Sequence, residues 1–190
     1  MEIRDVFGNF PTLETNRLIL RKFKLTDVDD LFEYASNKNI DKYVPWYAYN
    51  DRKEAVEFIN SKIQIYKEGN LSSWAIELKK NNKMIGSIDF GKWDTKSNCA
   101  TIGYAISCDY WNNGYATEAL REVIKFGFET MKLHRIQMEH VKENVASGKV
   151  MMKNGLKYEG TLRDAAYYKG QYYDKKIYSI LKKEYIDILN

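Results

Sequence analysis

The chain has 190 residues, 44% apolar and 29% charged, with two prolines and no low-complexity tract, which excludes extensive disorder and predicts one domain over residues 1–190. At this length folding removes roughly 70% of the unfolded chain's surface from water, enough for a real core. Thirty basic and 26 acidic residues are spread without a stripe, so nucleic acid is not an expected partner. No run of about 18 apolar residues suggests a membrane span, and residues 1–10 do not form a charged-then-apolar leader, so a cytoplasmic protein is expected. Cys99 and Cys108 are too few for a disulfide framework and have no C-x-x-C zinc spacing.

In chain order, residues 17–21 form a short apolar run fit for a strand, and Thr26-x-x-Asp29 resembles a helix-start box ahead of Val28, Leu31, Phe32 and Ala35. Asp51-x-x-Glu54 repeats that signal, Val56, Ile59, Ile63 and Tyr66 keep helical spacing, and Gly69 ends the helix. Alternation over 74–78 and 84–90 around Asn81-Asn82 predicts a hairpin, and 99–106 a third antiparallel strand. After the turn at 110–115, Ala116, Leu120, Val123, Ile124, Gly127, Phe128 and Met131 mark one buried helical face. A strand at 134–141, a short helix at 146–153 closed by Asn154-Gly155, and two tyrosine-rich strands around Lys169-Gly170 complete the pattern. The fold class is therefore α+β, without internal repeat or linker.

The stretch YWNNGYATEAL, residues 110–120, runs from a strand through a glycine turn into a helix. The first turn of a helix has backbone N–H groups without intrahelical partners and the positive end of the helix dipole, which makes an anion cradle. Gly114 permits unusual backbone angles and Ala116 keeps the helix start free of bulk. The bland alternative is a glycine that only permits a tight turn, and neither the Rossmann nor the Walker pattern is present.

A second constellation, ENVASGKVMMKNGLKYEG, places Asn144 and Ser147 ahead of a short helix and then Gly155 and a strand. Taken in order with MIGSIDF, ATIGYAI and YWNNGYATEAL, it resembles the GNAT superfamily of acetyl-CoA-dependent N-acetyltransferases, most closely the RimJ/RimL branch that acetylates N-termini of ribosomal proteins. The resemblance implies a single domain with a mixed, mostly antiparallel central sheet flanked by helices. It implies acetyl-CoA as donor, with Trp111, Asn112, Asn113, Gly114, Tyr115, Ala116 and Thr117 at the pyrophosphate, and Ile106 and Asn144 along the pantetheine arm. The family's [QR]-x-x-G-x-[GA] loop has Trp111 in its first position here. Ser147 matches the position near the thioester sulfur, where a hydroxyl donates a proton to the leaving thiolate. Helix capping is the structural alternative for Asn144 and Ser147.

Direct attack of a neutral amine on the acetyl carbonyl follows from the resemblance, without a metal. His134 and His140 could share a strand face, but no acidic or cysteine partner completes a metal set, and ordinary strand histidines are expected. Many relatives carry a glutamate before the Ile-Gly-Tyr of the central strand, where this chain has Thr101, and some carry one after Glu159-Gly160, where it has Ala165 and Ala166. Asp89, Tyr104, Asp164 and Tyr167 remain as candidate bases, each with a structural alternative. A site without a strong base favours an α-amine, with a pKa of about 7.7 to 8, over lysine near 10.4. A peptide N-terminus, with a ribosomal protein as the branch's target, is the expected acceptor. A small amine such as an aminoglycoside or polyamine, and a catalytically weak acetyl-CoA-binding module, are the alternatives. Trp46, Tyr47, Tyr49, Trp93 and the tyrosines at 167, 168, 172 and 173 are candidate groove residues, and a homodimer is compatible with the aromatic content.

Overall fold

The computed structural model describes residues 1–189. Asp5 accepts the Glu2 N–H at 2.7 Å and starts a short helix, α1 (Ile3–Phe7), which has no periodic signal of its own. Tertiary packing explains it. Phe7 and Phe10 are buried and meet Trp74 and Phe126 at ring-centroid distances of 5.0 to 6.2 Å, in the tilted and edge-on geometries aromatic quadrupoles prefer. The Trp74 indole N–H donates to the Pro11 carbonyl at 2.8 Å, which ties this segment down.

Two strands follow, β1 (Leu13–Glu14) and β2 (Leu18–Arg21), then the helices α2 (Val28–Ala35), α3 (Lys38–Asp41) and α4 (Arg52–Glu68). The expected box opens α4: Asp51 accepts the Lys53 N–H at 2.8 Å, and Glu54 accepts the Asp51 N–H at 3.0 Å. The expected Thr26/Asp29 box does not open α2. A 3-10 turn over Leu25–Asp27 comes first, and Asp27 accepts the Lys24 N–H at 2.8 Å. Asp27 also accepts both terminal nitrogens of Arg21, whose Nε donates to Glu77, so the start of α2 belongs to a buried ionic network. Asp29 faces solvent and pairs with Arg52 at 2.7 Å.

The strands β3 (Ser73–Leu78), β4 (Met84–Asp94) and β5 (Cys99–Ile106) form the expected antiparallel set. β4 runs past its expected end because a bulge between Phe90 and Lys92 absorbs Gly91, and the Thr101 hydroxyl accepts the Lys92 N–H at 3.0 Å. Then come α5 (Tyr115–Glu129), β6 (Arg135–Val141), α6 (Val145–Lys153), β7 (Lys157–Tyr168), β8 (Gln171–Leu181) and α7 (Lys182–Leu189).

All eight strands form one sheet in the order β1-β2-β3-β4-β5-β6-β8-β7, antiparallel except for the β5–β6 pair. The fold is α+β with a mixed sheet flanked by helices, as the sequence implies. Trp74, Ile88, Phe90 and Ile102 share the face covered by α1 and α5, while Ser73, Ser87, Asp89 and Gly103 share the face toward α2 and α4. β5 and β6 pair only over Cys99–Thr101 and Arg135–Gln137, then diverge and leave a notch in the middle of the sheet.

Candidate active site

One wall of the notch is the end of β5. Ser107 N–H donates to the Ile85 carbonyl at 2.8 Å, so strand alternation turns the backbone groups of Ile106 and Tyr104 away from β4, toward the side β6 has left. The Trp111 indole N–H donates to the Ile106 carbonyl at 2.8 Å, which folds the turn back over the strand end.

Beyond Trp111 the backbone takes left-handed values at Asn112 (φ 61°) and Gly114 (φ 79°) and enters α5. The Glu118 N–H is the first to find its helical partner, the Gly114 carbonyl at 3.0 Å. The N–H groups of Tyr115, Ala116 and Thr117 therefore point out of the helix end toward the notch, where the dipole favours an anion. Arg17 braces this turn from β2's approach. Its guanidinium donates to the Asn113 carbonyl at 3.0 Å, pairs with Glu118 at 2.6 Å and lies 4.5 Å from the Tyr115 ring centroid. Burial alone would raise the Glu118 carboxyl, but bonds from Thr15, the Arg17 N–H and the Arg17 guanidinium outweigh it and hold the group below its usual range.

The other wall is the start of α6. Asn144 is its N-cap, and its side-chain oxygen accepts the Ser147 N–H at 3.2 Å. The Ser147 hydroxyl accepts the Tyr104 O–H at 3.1 Å. Burial pushes Tyr104 up to about 12, with Ser147 partly offsetting it, so the phenol stays protonated at neutral pH and acts as a donor. Under α6, His140 is 7% exposed and stacks on Tyr178, with Nδ1 2.7 Å from the Val141 carbonyl.

Between the walls lies a groove of 310 Å³. It is lined by Ile106, Trp111, Asn112, Gly114, Tyr115, Ala116, Thr117, Asn144 and Ser147, nine of the ten residues singled out from the sequence. Asn113 is the tenth and does not line it: its side chain turns back to the Trp111 carbonyl at 2.9 Å and its own carbonyl takes Arg17. Sequence reasoning missed Lys149 and Lys153 on the outer face of α6, and Ile40 and Tyr43 from α3 and the turn after it, all of which line the groove. The lysines were legible only as a polar helix face; α3 is a single turn with no apolar period.

Of the candidate bases, Tyr104 lines the groove, while Asp89 pairs with Gly103 across β4–β5 on the other sheet face and does not line it. Asp164 sits at a bulge of β7, where its N–H donates to Asp174 at 3.1 Å, and Tyr167 is 64% exposed against Tyr172; neither lines the groove. Thr101, in the place of the family glutamate, is engaged with the β4 bulge. The two histidines do not come together, since His134 precedes β6 and is exposed while His140 is buried. Among the described residues no group of three or more His, Cys, Asp or Glu side chains could hold a metal.

A strand-notched mixed sheet with an open helix N-terminus on one side and a hydroxyl pair on the other defines an acyl-coenzyme A transferase site. The Acetyltransferase (GNAT) domain matches residues 17–157. An uncharacterized N-acetyltransferase of Bacillus subtilis, YoaA, is 35% identical over 173 residues, covering 91% of this chain and 98% of its own. The crystal structure of a GNAT-family acetyltransferase from Bacillus anthracis superposes with a TM-score of 0.81 at 30% identity, covering 91% of this chain and 99% of that one. The ribosomal protein uS5 alanine N-acetyltransferase of Escherichia coli is 26% identical, covering 85% and 86%. The chain belongs to the GNAT acetyltransferases and is an acetyl-CoA-dependent N-acetyltransferase.

Proposed function

We propose that the enzyme acetylates an α-amine at a peptide N-terminus, a ribosomal protein among the targets to try first. The observation that carries this reading is the chemistry around the notch: a ready proton donor for the leaving sulfur, and no glutamate at either family position for a base. About a quarter of an α-amine is already neutral near pH 7.4, against roughly one lysine side chain in a thousand, so the first needs far less help. The uS5-alanine acetyltransferase relative supports the same acceptor class.

In this reading the open N–H groups of Tyr115, Ala116 and Thr117 hold the pyrophosphate, and the Ile106 N–H and the Tyr104 backbone, turned away from β4, pair with the pantetheine arm. Trp111 acts on the strand end it bonds. The Asn144 amide nitrogen, left free by the cap, donates to that arm. Ser147, supported by Tyr104, protonates the departing sulfur. Lys149 and Lys153 add positive potential at the phosphate end.

The test is acetyl-CoA-dependent thiol release with a peptide bearing a free N-terminal alanine, the same peptide N-blocked with one internal lysine, spermidine, and an aminoglycoside. Faster turnover of the free N-terminus, by about 10-fold or more in kcat/KM, is expected. Faster turnover of either small amine than of any peptide would overturn the acceptor assignment.

A further inference from the structure

Gly103 lies in the middle of the central strand β5 and is nevertheless exposed, as is Gly91 across the ladder on β4. A mid-strand glycine marks a place where another group approaches the backbone closely. A Cβ added at Gly103 would meet a single neighbour within 4 Å, the Asp89 Oδ1 at 3.5 Å, and the same oxygen is 3.8 Å from a Cβ added at Gly91. The two glycines are thus the floor of an open cleft on the sheet face toward α2 and α4, and Asp89 is its wall.

Asp89 is held in place by one oxygen only. Oδ2 accepts the Ser73 hydroxyl at 2.9 Å, while Oδ1 has no hydrogen-bond donor among the described residues. The groups around it are Ser73 from β3, Lys62 from α4 and, over Gly91, the Thr101 hydroxyl from β5, already engaged with Lys92. Lys62 makes no ion pair within 4 Å among the described residues, so the carboxylate is not consumed by it.

The exposed face over Gly103 continues along β5 to the groove. Ala105 lies two residues beyond Gly103 on the same strand face and lines the groove, a step of about 7 Å along β5. An amine at the notch would reach Oδ1 through bridging water over Gly103.

We propose that Asp89 is the proton acceptor for the substrate amine, which enters over Gly103 from the sheet face opposite to the Tyr104–Ser147 hydroxyls. The assignment rests on the acetyl transfer argued above. The nitrogen lone pair forms the bond to the acetyl carbon and the carbon–sulfur bond breaks. Of the two protons the ammonium loses, one goes to the Asp89 carboxylate and on to solvent; the other is released to solvent as well, from which the hydroxyl pair regains the proton it delivers to sulfur. Burial raises the Asp89 carboxyl above its ordinary range, partly offset by Ser73 and Lys62, which makes it a stronger base than an exposed aspartate. A carboxylate still bridges the gap to an amine near 8 more easily than to one near 10.4, consistent with an α-amine acceptor.

The experiment is the pH profile of kcat/KM for thiol release, wild type against Asp89→Asn, with the free N-terminal alanine peptide and spermidine as probes. The thermal shift produced by acetyl-CoA serves as the control for folding and donor binding. The expected result is a loss of about 10-fold at pH 7 that narrows toward pH 9 for the alanine peptide, whose amine then supplies its own neutral form, and persists for spermidine, with the thermal shift unchanged. Asp89→Glu should recover part of the rate, since it returns a carboxylate. Wild-type turnover matched by Asp89→Asn at pH 7, or a loss of the same factor at every pH with the alanine peptide, would overturn the assignment of Asp89 alone. A wild type that binds acetyl-CoA yet releases no thiol with either probe would overturn the acceptor reading and this assignment with it.

Discussion

Tyr104 donates a hydrogen bond to the Ser147 oxygen, which leaves the serine's own O–H free to point into the groove. The raised phenol stays a donor throughout the physiological range, so the pair works in one direction. If Ser147 protonates the sulfur as proposed, Ser147→Ala should lower kcat by about 100-fold; Tyr104→Phe removes only the support and should cost about 10-fold. Both variants should keep the acetyl-CoA thermal shift, and unchanged kcat in both would remove the hydroxyls from the mechanism. At this scale Asn144 and Ser147 were legible because their order along the chain matches a family, and the cap they form is compatible with the role. The Trp111 bond to the Ile106 carbonyl was not legible. It depends on the 3-10 turn over Cys108–Tyr110, which carries no periodic signal.

Among the elements, α6 carries the proposed proton donor, and its fit against β6 is tight. A Cβ added at Gly148 would lie 2.7 Å from His140 Nε2 and 3.2 Å from the Tyr178 hydroxyl. The imidazole cannot yield easily, being stacked on Tyr178 and held at Val141. Alanine is favoured over glycine inside a helix by about 1 kcal/mol, but overpacking of this kind costs about 1 to 3 kcal/mol, so the clash decides the sign. Gly148→Ala should therefore lower stability in urea and lower kcat by displacing Ser147. A variant more stable than wild type with full activity would show that α6 has room to move. Elements with strong local codes, α4 with its Asp51 box and α5 with its apolar stripe, were readable from the sequence. The start of α2 was misread because Asp27 serves Arg21, which is bonded also to Glu77, 56 residues from Arg21 along the chain. A local pattern carries no record of such a partner.

For the molecule as a whole, the order of strands matters more than their number. Putting β5 and β6 side by side in parallel, and letting them part after Thr101, brings a helix N-terminus and a hydroxyl pair to the same gap from segments about thirty residues apart in sequence. The α+β class and the antiparallel run β3–β5 follow from alternation and turn residues, but the notch follows from the parallel pair, which only the family resemblance implied. The same holds for the cleft over Gly103: two glycines and an aspartate are unremarkable in sequence, and gain meaning when the register sets them face to face.

Thermal unfolding with and without acetyl-CoA shows whether the notch holds that ligand. Ligand at about 100 times its dissociation constant adds roughly 2.7 kcal/mol, and at this chain length each kcal/mol moves the midpoint by about 2 to 4 °C. A rise of roughly 5 to 11 °C is expected, abolished by Gly114→Pro, which cannot adopt the φ of 79° at the head of α5, in a variant that still unfolds cooperatively. An unchanged midpoint with saturating acetyl-CoA would show that the notch does not hold it.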